Sequence, residues 1–264
     1  MPELPEVEAA RRRAERQLVG RRIVSVATVP DPIVFEGTSP RRLAALRGRE
    51  IAAVHRRGKH LWMELDRPPH LLFHFGMAGG FRLGRAGEPR PRFWKLDLAA
   101  EGDRRLAFTD PRRLGRVRLR RNPEGEPPLV HLGFDVLEAL PRTPTLAGVM
   151  ARHGGPVKAV LLDQSLFAGV GNWIADEVLY QAGLDPRRPA SSLTQEEVGR
   201  LRTRLHDIVR RAVAVDADSA RFPRTWLFHR RWGRKPGAHT SRGEPIVFLT
   251  VGGRTTAWVP SRQR

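Results

Sequence analysis

The spacing of apolar residues changes once along this chain, and that change constrains the fold more than any other feature. Short β-prone runs recur between clusters of Gly, Pro and Arg at 22–29, 50–56, 60–65, 70–75, 92–99, 104–109 and 116–120. Beyond them, apolar residues follow helical spacing over 156–166, 172–182 and 194–214. Many short strands followed by a run of helices predict an α+β chain, with a β-sandwich before a helical domain.

Each end of the chain adds one further element. Apolar residues spaced by three and four from Leu4 to Leu18 predict a helix over 3–18. Near the other end, the β-prone segments 246–251 and 254–259 flank Gly252-Gly253, which predicts a hairpin. Proline-rich breaks at 121–128 and 141–144 separate the two patterns. We expect an N-terminal domain over 1–127, a helical domain over 128–235 and a hairpin module over 236–264.

Composition narrows the classes of partner. The chain has 47 basic and 28 acidic residues, a net charge of +19, and this surplus favours a polyanion such as nucleic acid, an anionic membrane or an acidic protein. The absence of cysteine excludes disulfides, thiol catalysis and zinc sites built on thiolates. No apolar stretch approaches ~20 residues and no leader precedes the first charge, so we expect a cytoplasmic protein.

Pro2 carries the most unusual chemistry. Removal of Met1 would leave it with a free secondary α-amine. Such an amine titrates near pH 8, so roughly 10–15% of it is free base at pH 7, against under ~0.1% of an ordinary lysine. It attacks an aldehyde-like carbon to give a cationic iminium that drives elimination, and the adjacent Glu3 is placed to shuttle protons. Alone, this pattern is weak, because Pro2 is common.

Five motifs, in order along nearly the whole chain, resemble the formamidopyrimidine-DNA glycosylases, bifunctional enzymes of base-excision repair. They are MPELPEVEAARR (1–12), RRGKHLWMEL (56–65), HFGMAG (74–79), TDPRRLG (109–115) and LLDQSLFAGVGNWIADEVLY (161–180). The resemblance implies a sandwich preceded by a catalytic helix, a helix–two-turns–helix domain, and double-stranded DNA in a basic cleft between the domains. It also implies Pro2 as nucleophile and Glu3 as proton carrier, with Glu6 and Glu177 near the flipped base.

The same resemblance assigns a wedge that enters the duplex. A glycosylase extrudes its target nucleotide, and apolar side chains fill the vacated space. Met77 is the implied inserted residue, Arg112 faces the orphaned base, and Leu114 lies beside them. The family has phenylalanine where this chain has Leu114, so we expect less stacking and relaxed discrimination of the partner base. Arg113 of this motif is also predicted to bind DNA.

Phosphate contacts are implied at other positions. Lys59 and Lys158 match family positions that bind phosphates, and the resemblance also implies a catalytic role for Lys59. The chain has only four lysines, so two at such positions suggest that a compact ammonium is needed there. The turn 169–172 offers backbone N–H groups and the Asn172 amide at a helix start, a ready phosphate site. Lys95 is predicted to bind DNA because RFWK (92–95) is similar to a segment of plant and fungal relatives.

The C-terminal hairpin departs from most bacterial relatives, which carry a four-cysteine zinc finger. By alignment, the four ligand positions here hold His239, Arg242, Val259 and Arg262. That set cannot bind zinc, so we expect no metal and no cofactor. Arg254 remains at the turn, where the family finger directs an arginine toward phosphates, and it is counted as catalytic. The tail VGGRTTAWVPSRQ resembles the zincless finger of plant and fungal members, held by strand pairing and packing of Phe248 and Trp258.

The expected activity is removal of oxidised purines, followed by β,δ-elimination at the abasic site. Only about ten residues, 215–224, follow the third helix where typical bacterial members have a long loop over 8-oxoguanine. We therefore expect formamidopyrimidines and hydantoins to be better substrates than 8-oxoguanine.

Rival interpretations remain at this stage. They are an endonuclease VIII-like enzyme for oxidised pyrimidines, a non-catalytic binder of damaged or abasic DNA, and an RNA-binding protein. The Glu-Leu-Pro-Glu start favours the formamidopyrimidine type over the endonuclease VIII type. We expect a monomer on nucleoid DNA, because a duplex needs one cleft, and no membrane partner.

Overall fold

The computed structural model describes residues 2–264. Its first element is helix α1 (Leu4–Leu18). The predicted apolar stripe is buried, with Val7, Ala14 and Leu18 in the core. Glu3 is the N-cap and forms a capping box with Glu6, so the helix starts one residue later than the apolar spacing suggests.

Eight strands and one short helix follow and complete the N-terminal unit. They are β1 (Ile23–Thr28), α2 (Pro40–Ala44), β2 (Ile51–Arg57), β3 (His60–Leu65), β4 (His70–His74), β5 (Gly80–Gly84), β6 (Trp94–Ala100), β7 (Arg104–Thr109) and β8 (Arg116–Arg120). The strands form two antiparallel sheets, ordered β1-β6-β7-β5 and β2-β3-β4-β8.

One apolar core joins the two sheets. Leu96 and Phe108 of the first sheet and Leu61 and Phe73 of the second belong to the same buried cluster. The Phe73 ring lies 5.9 Å from the Phe108 ring and 4.9 Å, edge-on, from the Phe81 ring. Since strand side chains alternate between faces, each sheet buries one face in this core, and the unit is the predicted β-sandwich.

The C-terminal unit begins at Leu132, directly after the first unit ends at His131. Its elements are β9 (Phe134–Asp135), α3 (Thr143–Ala151), α4 (Val157–Leu162), β10 (Phe167–Ala168), α5 (Asn172–Ala182), α6 (Gln195–Ala214), β11 (Val247–Val251) and β12 (Arg254–Trp258). Helix α6 starts with a Thr194–Glu197 capping box. Strands β11 and β12 form the predicted hairpin around Gly252-Gly253, both at positive φ.

The sequence patterns do not predict helices α2 and α3, strand β5 or the two-residue strands β9 and β10. Strand β5 reads GFRLG and is a strand because it pairs with β7, not because of its propensity. Helices α2 and α3 each carry a proline in the first turn and show no polar–apolar stripe. The predicted strand 92–99 starts later, because Phe93 has a φ of 63°. Among residues 2–264, none of the helices is both long and apolar enough to cross a bilayer.

Candidate active site and nucleic-acid interface

The start of α1 brings together three predicted site residues. Pro2 is half-buried, and Glu3 is buried with 2% of its surface exposed. The Glu3 N–H donates to Glu6 Oε2 at 3.0 Å, and the Glu3 carboxylate accepts from the Glu6 N–H. This capping box fixes the start of α1 directly after Pro2.

Pro2 and Glu6 line a pocket of about 220 Å³ in the N-terminal unit. The rest of its wall comes from Ala10 and Arg13 of α1, Phe75, the segment 78–82 and Thr109 of β7. The candidate nucleophile and an acidic group therefore share one cavity, whose wall continues into the loop that bears Met77.

The candidate wedge residues lie on two loops that touch. Met77, between β4 and β5, is 36% exposed, and Leu114, between β7 and β8, is 42% exposed. At Gly76 a Cβ would lie 2.4 Å from the Leu114 carbonyl carbon, and φ is +60°, so only glycine fits this approach. Arg112 is exposed, and its N–H donates to the buried Asp110 at 3.1 Å. We call Met77, Arg112 and Leu114 the wedge tip.

Lys59 occupies the two-residue turn between β2 and β3 and is 8% exposed. Next to this turn, His60 and His74 pair across β3 and β4, with ring centroids 4.7 Å apart. Burial, reinforced by the Lys59 charge, lowers the pKa of His74 to about 4, and burial lowers the pKa of His60 to about 3. Both imidazoles are therefore neutral near pH 7 and add no charge beside the Lys59 ammonium.

A buried carboxylate ties α1 to the strand that leads to Lys59. Glu8 accepts hydrogen bonds from Arg11 of its own helix at 3.0 Å and from Arg56 of β2 at 3.1 Å. Arg11 also donates to the Val54 carbonyl at 3.1 Å. Burial alone would raise the pKa of Glu8, but the arginines outweigh it, so that pKa lies below its usual value. Glu8 and its arginine partners therefore connect helix α1 to β2, the strand that precedes the Lys59 turn.

Asp31 holds two of the predicted DNA-binding residues. Its buried carboxylate accepts from Arg113 Nε at 2.9 Å and Nη2 at 3.1 Å, and from Lys95 Nζ at 2.9 Å. Burial alone would raise the pKa of Asp31, but Arg113 and Lys95 hold that pKa well below its usual range. Both cations are thus engaged with a protein carboxylate, although the Arg113 side chain remains 49% exposed.

In the C-terminal unit, Lys158 of α4 has no exposed surface. Its Nζ lies 2.6 Å from Asp176 Oδ1 and donates to Thr256 Oγ1 at 2.7 Å. Asp176 Oδ2 accepts from Arg231 Nη2 at 2.7 Å and from the Ala257 N–H at 3.1 Å. The sequence prediction places Lys158 on a phosphate, whereas the structure places its ammonium inside the protein. There it joins α4 and α5 to strand β12 of the hairpin.

Arg254 lies at the tip of the hairpin, and Asn172 of α5 contacts the residue that follows it. The Asn172 side chain, at the start of α5, donates to the Thr255 carbonyl at 2.9 Å, and Thr255 directly follows the exposed Arg254. A Cβ at Gly252 would lie 3.0 Å from the Ala159 side chain, so glycine lets the turn rest on α4. The three predicted phosphate-contact positions Lys158, Asn172 and Arg254 therefore converge near this turn.

The turn that precedes α5 uses part of its own hydrogen-bonding capacity. The Gly169 N–H donates to Gln164 Oε1 at 3.1 Å, and the Val170 N–H to the Phe167 carbonyl at 3.3 Å. Gly171 is the N-cap of α5, with no side chain to cover the helix start. The Gly169 and Val170 N–H groups of this turn are therefore engaged within the protein, and the phosphate contact at Asn172 stays a prediction.

Glu177 of α5 is fully buried, and both of its carboxylate oxygens bind protein groups. Oε1 accepts from Gln181 Nε2 at 2.7 Å and Oε2 from the Phe228 N–H at 2.8 Å. Burial raises the pKa of Glu177 to about 7, so a large share of this carboxyl is protonated at neutral pH. The prediction links Glu177 to the flipped base. In the structure its hydrogen-bond partner Phe228 belongs to an aromatic cluster with Trp173, Phe222 and Trp226.

Two central carboxylates, Asp31 and Asp176, escape the sequence reasoning. Each has a local sequence signal, because Asp176 is a charged residue in the largely apolar helix NWIADEVLYQA and Asp31 stands between two prolines. Their partners could not be predicted from local sequence, since Arg113 lies 82 residues from Asp31 and Arg231 lies 55 residues from Asp176.

The hairpin is held by packing in place of a metal. Of the residues at the aligned zinc positions, only His239 has a suitable donor. No three His, Asp or Glu side chains cluster as metal ligands within residues 2–264. The hairpin instead packs into an apolar cluster with Tyr180, Leu227, Ile246, Phe248, Ala257 and Val259. Trp258 is buried, with the Arg187 guanidinium 4.4 Å from its ring.

Three family models match consecutive parts of the chain. They are the Formamidopyrimidine-DNA glycosylase N-terminal domain over residues 1–117, the H2TH domain over 132–224 and the Formamidopyrimidine-DNA glycosylase-like C-terminal domain over 226–260. A formamidopyrimidine-DNA glycosylase from Arabidopsis thaliana is 41% identical over all of this chain and 71% of its own length. One from Thermus thermophilus is 39% identical over all of this chain and 98% of its own.

Solved structures agree with these matches. A Lactococcus lactis formamidopyrimidine-DNA glycosylase bound non-covalently to abasic-site DNA has a TM-score of 0.87 and 28% identity, over 99% of both chains. A point mutant of that enzyme with DNA containing Fapy-dG has a TM-score of 0.88 and 29% identity, over both whole chains. By sequence and by fold, this chain belongs to the formamidopyrimidine-DNA glycosylase family, whose members are N-glycosylases with AP lyase activity.

Proposed function

We propose that this chain is a bifunctional DNA glycosylase and AP lyase that removes oxidised purines from double-stranded DNA. The observation that carries the proposal is the placement of Pro2 in a pocket at the positive end of α1, with Glu3 buried beside it. The family relatives bound to abasic-site and Fapy-dG DNA support the same class of substrate.

In the proposed reaction, the Pro2 nitrogen attacks C1′ of the damaged nucleotide. The glycosidic bond breaks, its electron pair leaves on the base, and the base takes up a proton. Glu3 carries protons for base loss and for opening of the sugar ring. The resulting iminium withdraws electrons, so loss of a C2′ proton expels the 3′ phosphate and a second elimination expels the 5′ phosphate. Water then hydrolyses the Schiff base and restores the amine.

The exposed groups of the two units fit two kinds of DNA contact. The wedge tip presents an apolar and a basic surface, the combination that fills a vacated base position. Lys59, the start of α5 at Asn172, and Arg254 supply donors for phosphate oxygens. Glu6, on the wall of the Pro2 pocket, and Glu177 are assigned to the flipped base and its surrounding network.

The wider organisation is also part of the proposal. We assign catalysis to the segment 1–127, duplex binding to 128–235 and phosphate gripping at the lesion to the hairpin module 236–264. One duplex and one copy of the chain form the working complex, on nucleoid DNA in the cytoplasm.

Borohydride trapping on DNA that contains an abasic site tests the proposal. The mature protein, with Pro2 at its terminus, is expected to give a covalent adduct, because borohydride reduces the iminium. A chain that keeps an N-terminal extension is expected to give none, and Pro2→Gly at least about tenfold less. Arg200→Gln, on the exposed face of α6, is the matched control and should trap like the parent protein.

The outcomes separate the candidate functions. An adduct that persists with a blocked N-terminus would overturn Pro2 as nucleophile. Tight binding to abasic DNA without any adduct would favour the non-catalytic binder.

Lesion preference is a separate expected result. The segment 215–224 is short and tied down, since Phe222 is 3% exposed and its ring lies 5.0 Å from that of Trp226. Such a segment has little freedom to close over a flipped 8-oxoguanine. In single-turnover assays on matched duplexes, formamidopyrimidine and hydantoin lesions are expected to be excised faster than 8-oxoguanine. Faster removal of 8-oxoguanine would refute this, and a preference for thymine glycol would favour an oxidised-pyrimidine enzyme.

A further inference from the structure

We infer that Asp31 is a positioning residue for the wedge tip, and that Arg113 acts through Asp31 rather than on DNA. This inference rests on the proposed function, because it assigns the wedge tip to the duplex. It concerns a carboxylate in the connection between β1 and α2, far in sequence from the residues it orders.

Arg113 has an unusual backbone conformation. This residue lies between Arg112 and Leu114 of the wedge tip and has a φ of 56°, in the left-handed region that a non-glycine residue rarely adopts. Such a conformation persists only where its surroundings fix it. Two hydrogen bonds to one carboxylate, at 2.9 and 3.1 Å, form a bidentate pair of fixed geometry. Asp31 supplies that carboxylate.

Asp31 is itself fixed. It is 4% exposed, its Oδ1 accepts from the Val34 N–H at 3.2 Å, and its carbonyl accepts from the Phe35 N–H at 3.0 Å. The Val34 carbonyl in turn accepts from the Val117 N–H of β8 at 2.8 Å. The anchor therefore belongs to the sandwich, while the residues that it orders project from it.

Asp31 joins strand β6 to the loop between β7 and β8. Lys95 Nζ donates to the same carboxylate at 2.9 Å, and the Lys95 carbonyl accepts from the Val29 N–H at 3.0 Å. The Phe93 carbonyl accepts from the Asp110 N–H at 3.0 Å. This hydrogen bond links the segment before β6 to the loop 110–115 between β7 and β8, which we call the wedge loop. Two cations on one carboxylate leave one positive charge, so the cluster stays attractive to DNA while its geometry is set from within.

The consequence for Arg113 follows from the charges. A guanidinium that neutralises a phosphate releases counterions and contributes to the salt dependence of binding. A guanidinium already paired in bidentate geometry must break that pair to do so. Its contribution is therefore to the shape of the wedge loop, and it is felt only when an intact opposite strand is present.

Asp31→Asn tests this assignment. We expect excision from a lesion-containing duplex to fall about tenfold, because the neutral amide loses the charge-assisted pair. Trapping on single-stranded abasic DNA, which has no opposite base to displace, should stay within about twofold. The fluorescence of 2-aminopurine opposite the abasic site should report less displacement, and Asp31→Glu should recover part of it. Glu36→Gln, which removes an exposed carboxylate from the same connection, is the matched control.

Arg113→Gln completes the experiment as a double-mutant cycle. If Arg113 works through Asp31, the two substitutions give the same defect and the double variant is no worse. If Arg113→Gln instead weakens binding and flattens its salt dependence while Asp31→Asn behaves like the parent, Arg113 contacts phosphate and the inference is overturned. An equal loss on duplex and single strand would also overturn it, as a general structural effect. Failure of the parent protein to trap at all would instead count against the proposed function.

Discussion

Replacement of Asp176 by alanine is expected to lower the free energy of unfolding by about 3–5 kcal/mol. The substitution leaves two buried cations, Lys158 and Arg231, without the carboxylate that both contact, and buried unpaired charge is costly. It also removes the acceptor of the Ala257 N–H in β12. The melting temperature should fall by roughly 10 °C, which calorimetry or circular dichroism would measure.

Two further variants give this prediction an internal order. Lys158→Met removes one cation and leaves the Asp176–Arg231 pair intact, so it should cost clearly less than Asp176→Ala. Glu196→Gln breaks an exposed ion pair with Arg200 and should change stability by under about 0.5 kcal/mol. Limited proteolysis of the hairpin should accelerate in the order of these costs. A melting temperature for Asp176→Ala close to that of Glu196→Gln would contradict the role assigned to the network.

Replacement of Glu3 by glutamine is expected to slow excision of the damaged base at least about 100-fold. The amide cannot carry a proton between the leaving base and the sugar ring, but it keeps an oxygen that accepts from the Glu6 N–H. Helix α1 should therefore still be capped, with little change in stability. Single-turnover excision from a duplex with a formamidopyrimidine lesion is the measurement, alongside borohydride trapping on DNA that already lacks the base.

The control for this variant lies on the same helix. Glu15→Gln removes an exposed carboxylate near the end of α1, where it pairs with Arg11, and should leave excision unchanged. Because trapping on abasic DNA bypasses base loss, Glu3→Gln should retain an adduct there. Equal losses in excision and trapping would place the main role of Glu3 after base loss, contrary to this assignment.

Elements whose signals are local in sequence could be predicted. The apolar spacing of α6, the Gly-Gly turn of the hairpin and the apolar stripe of α1 each depend on residues close in sequence, and all three elements form as expected. Strand β5 could not be predicted in this way, because its partner β7 supplies the pairing that its own glycine-bounded sequence does not favour. Tertiary pairing overrides propensity at such positions.

The same distinction holds in the candidate site. Pro2, Glu3 and Glu6 are neighbours in sequence, and their shared position at a helix start follows from the first few residues. Lys158 shows the limit of such reasoning. Lysine is rare in this chain, which indicates a need for a compact ammonium at this position. That need arises inside the protein, where Lys158 meets Asp176 and also two groups 97 and 98 residues away, at Thr255 and Thr256.

The placement of sulfur in this chain has a consequence for chemistry under oxidative conditions. The hairpin is held by apolar packing and by carboxylate, guanidinium and ammonium groups. None of these is lost to oxidants or chelators, unlike a thiolate–zinc finger. Of the methionines that the structure describes, Met63 and Met150 are buried, whereas Met77 is 36% exposed. Met77, the candidate wedge residue, is therefore the most exposed of these methionines and the most open to sulfoxide formation. If Met77 enters the duplex as proposed, a polar sulfinyl group would replace its apolar contact with the base stack. If the chain acts on oxidised DNA as proposed, its own most oxidisable side chain would be Met77, the residue proposed to enter the duplex.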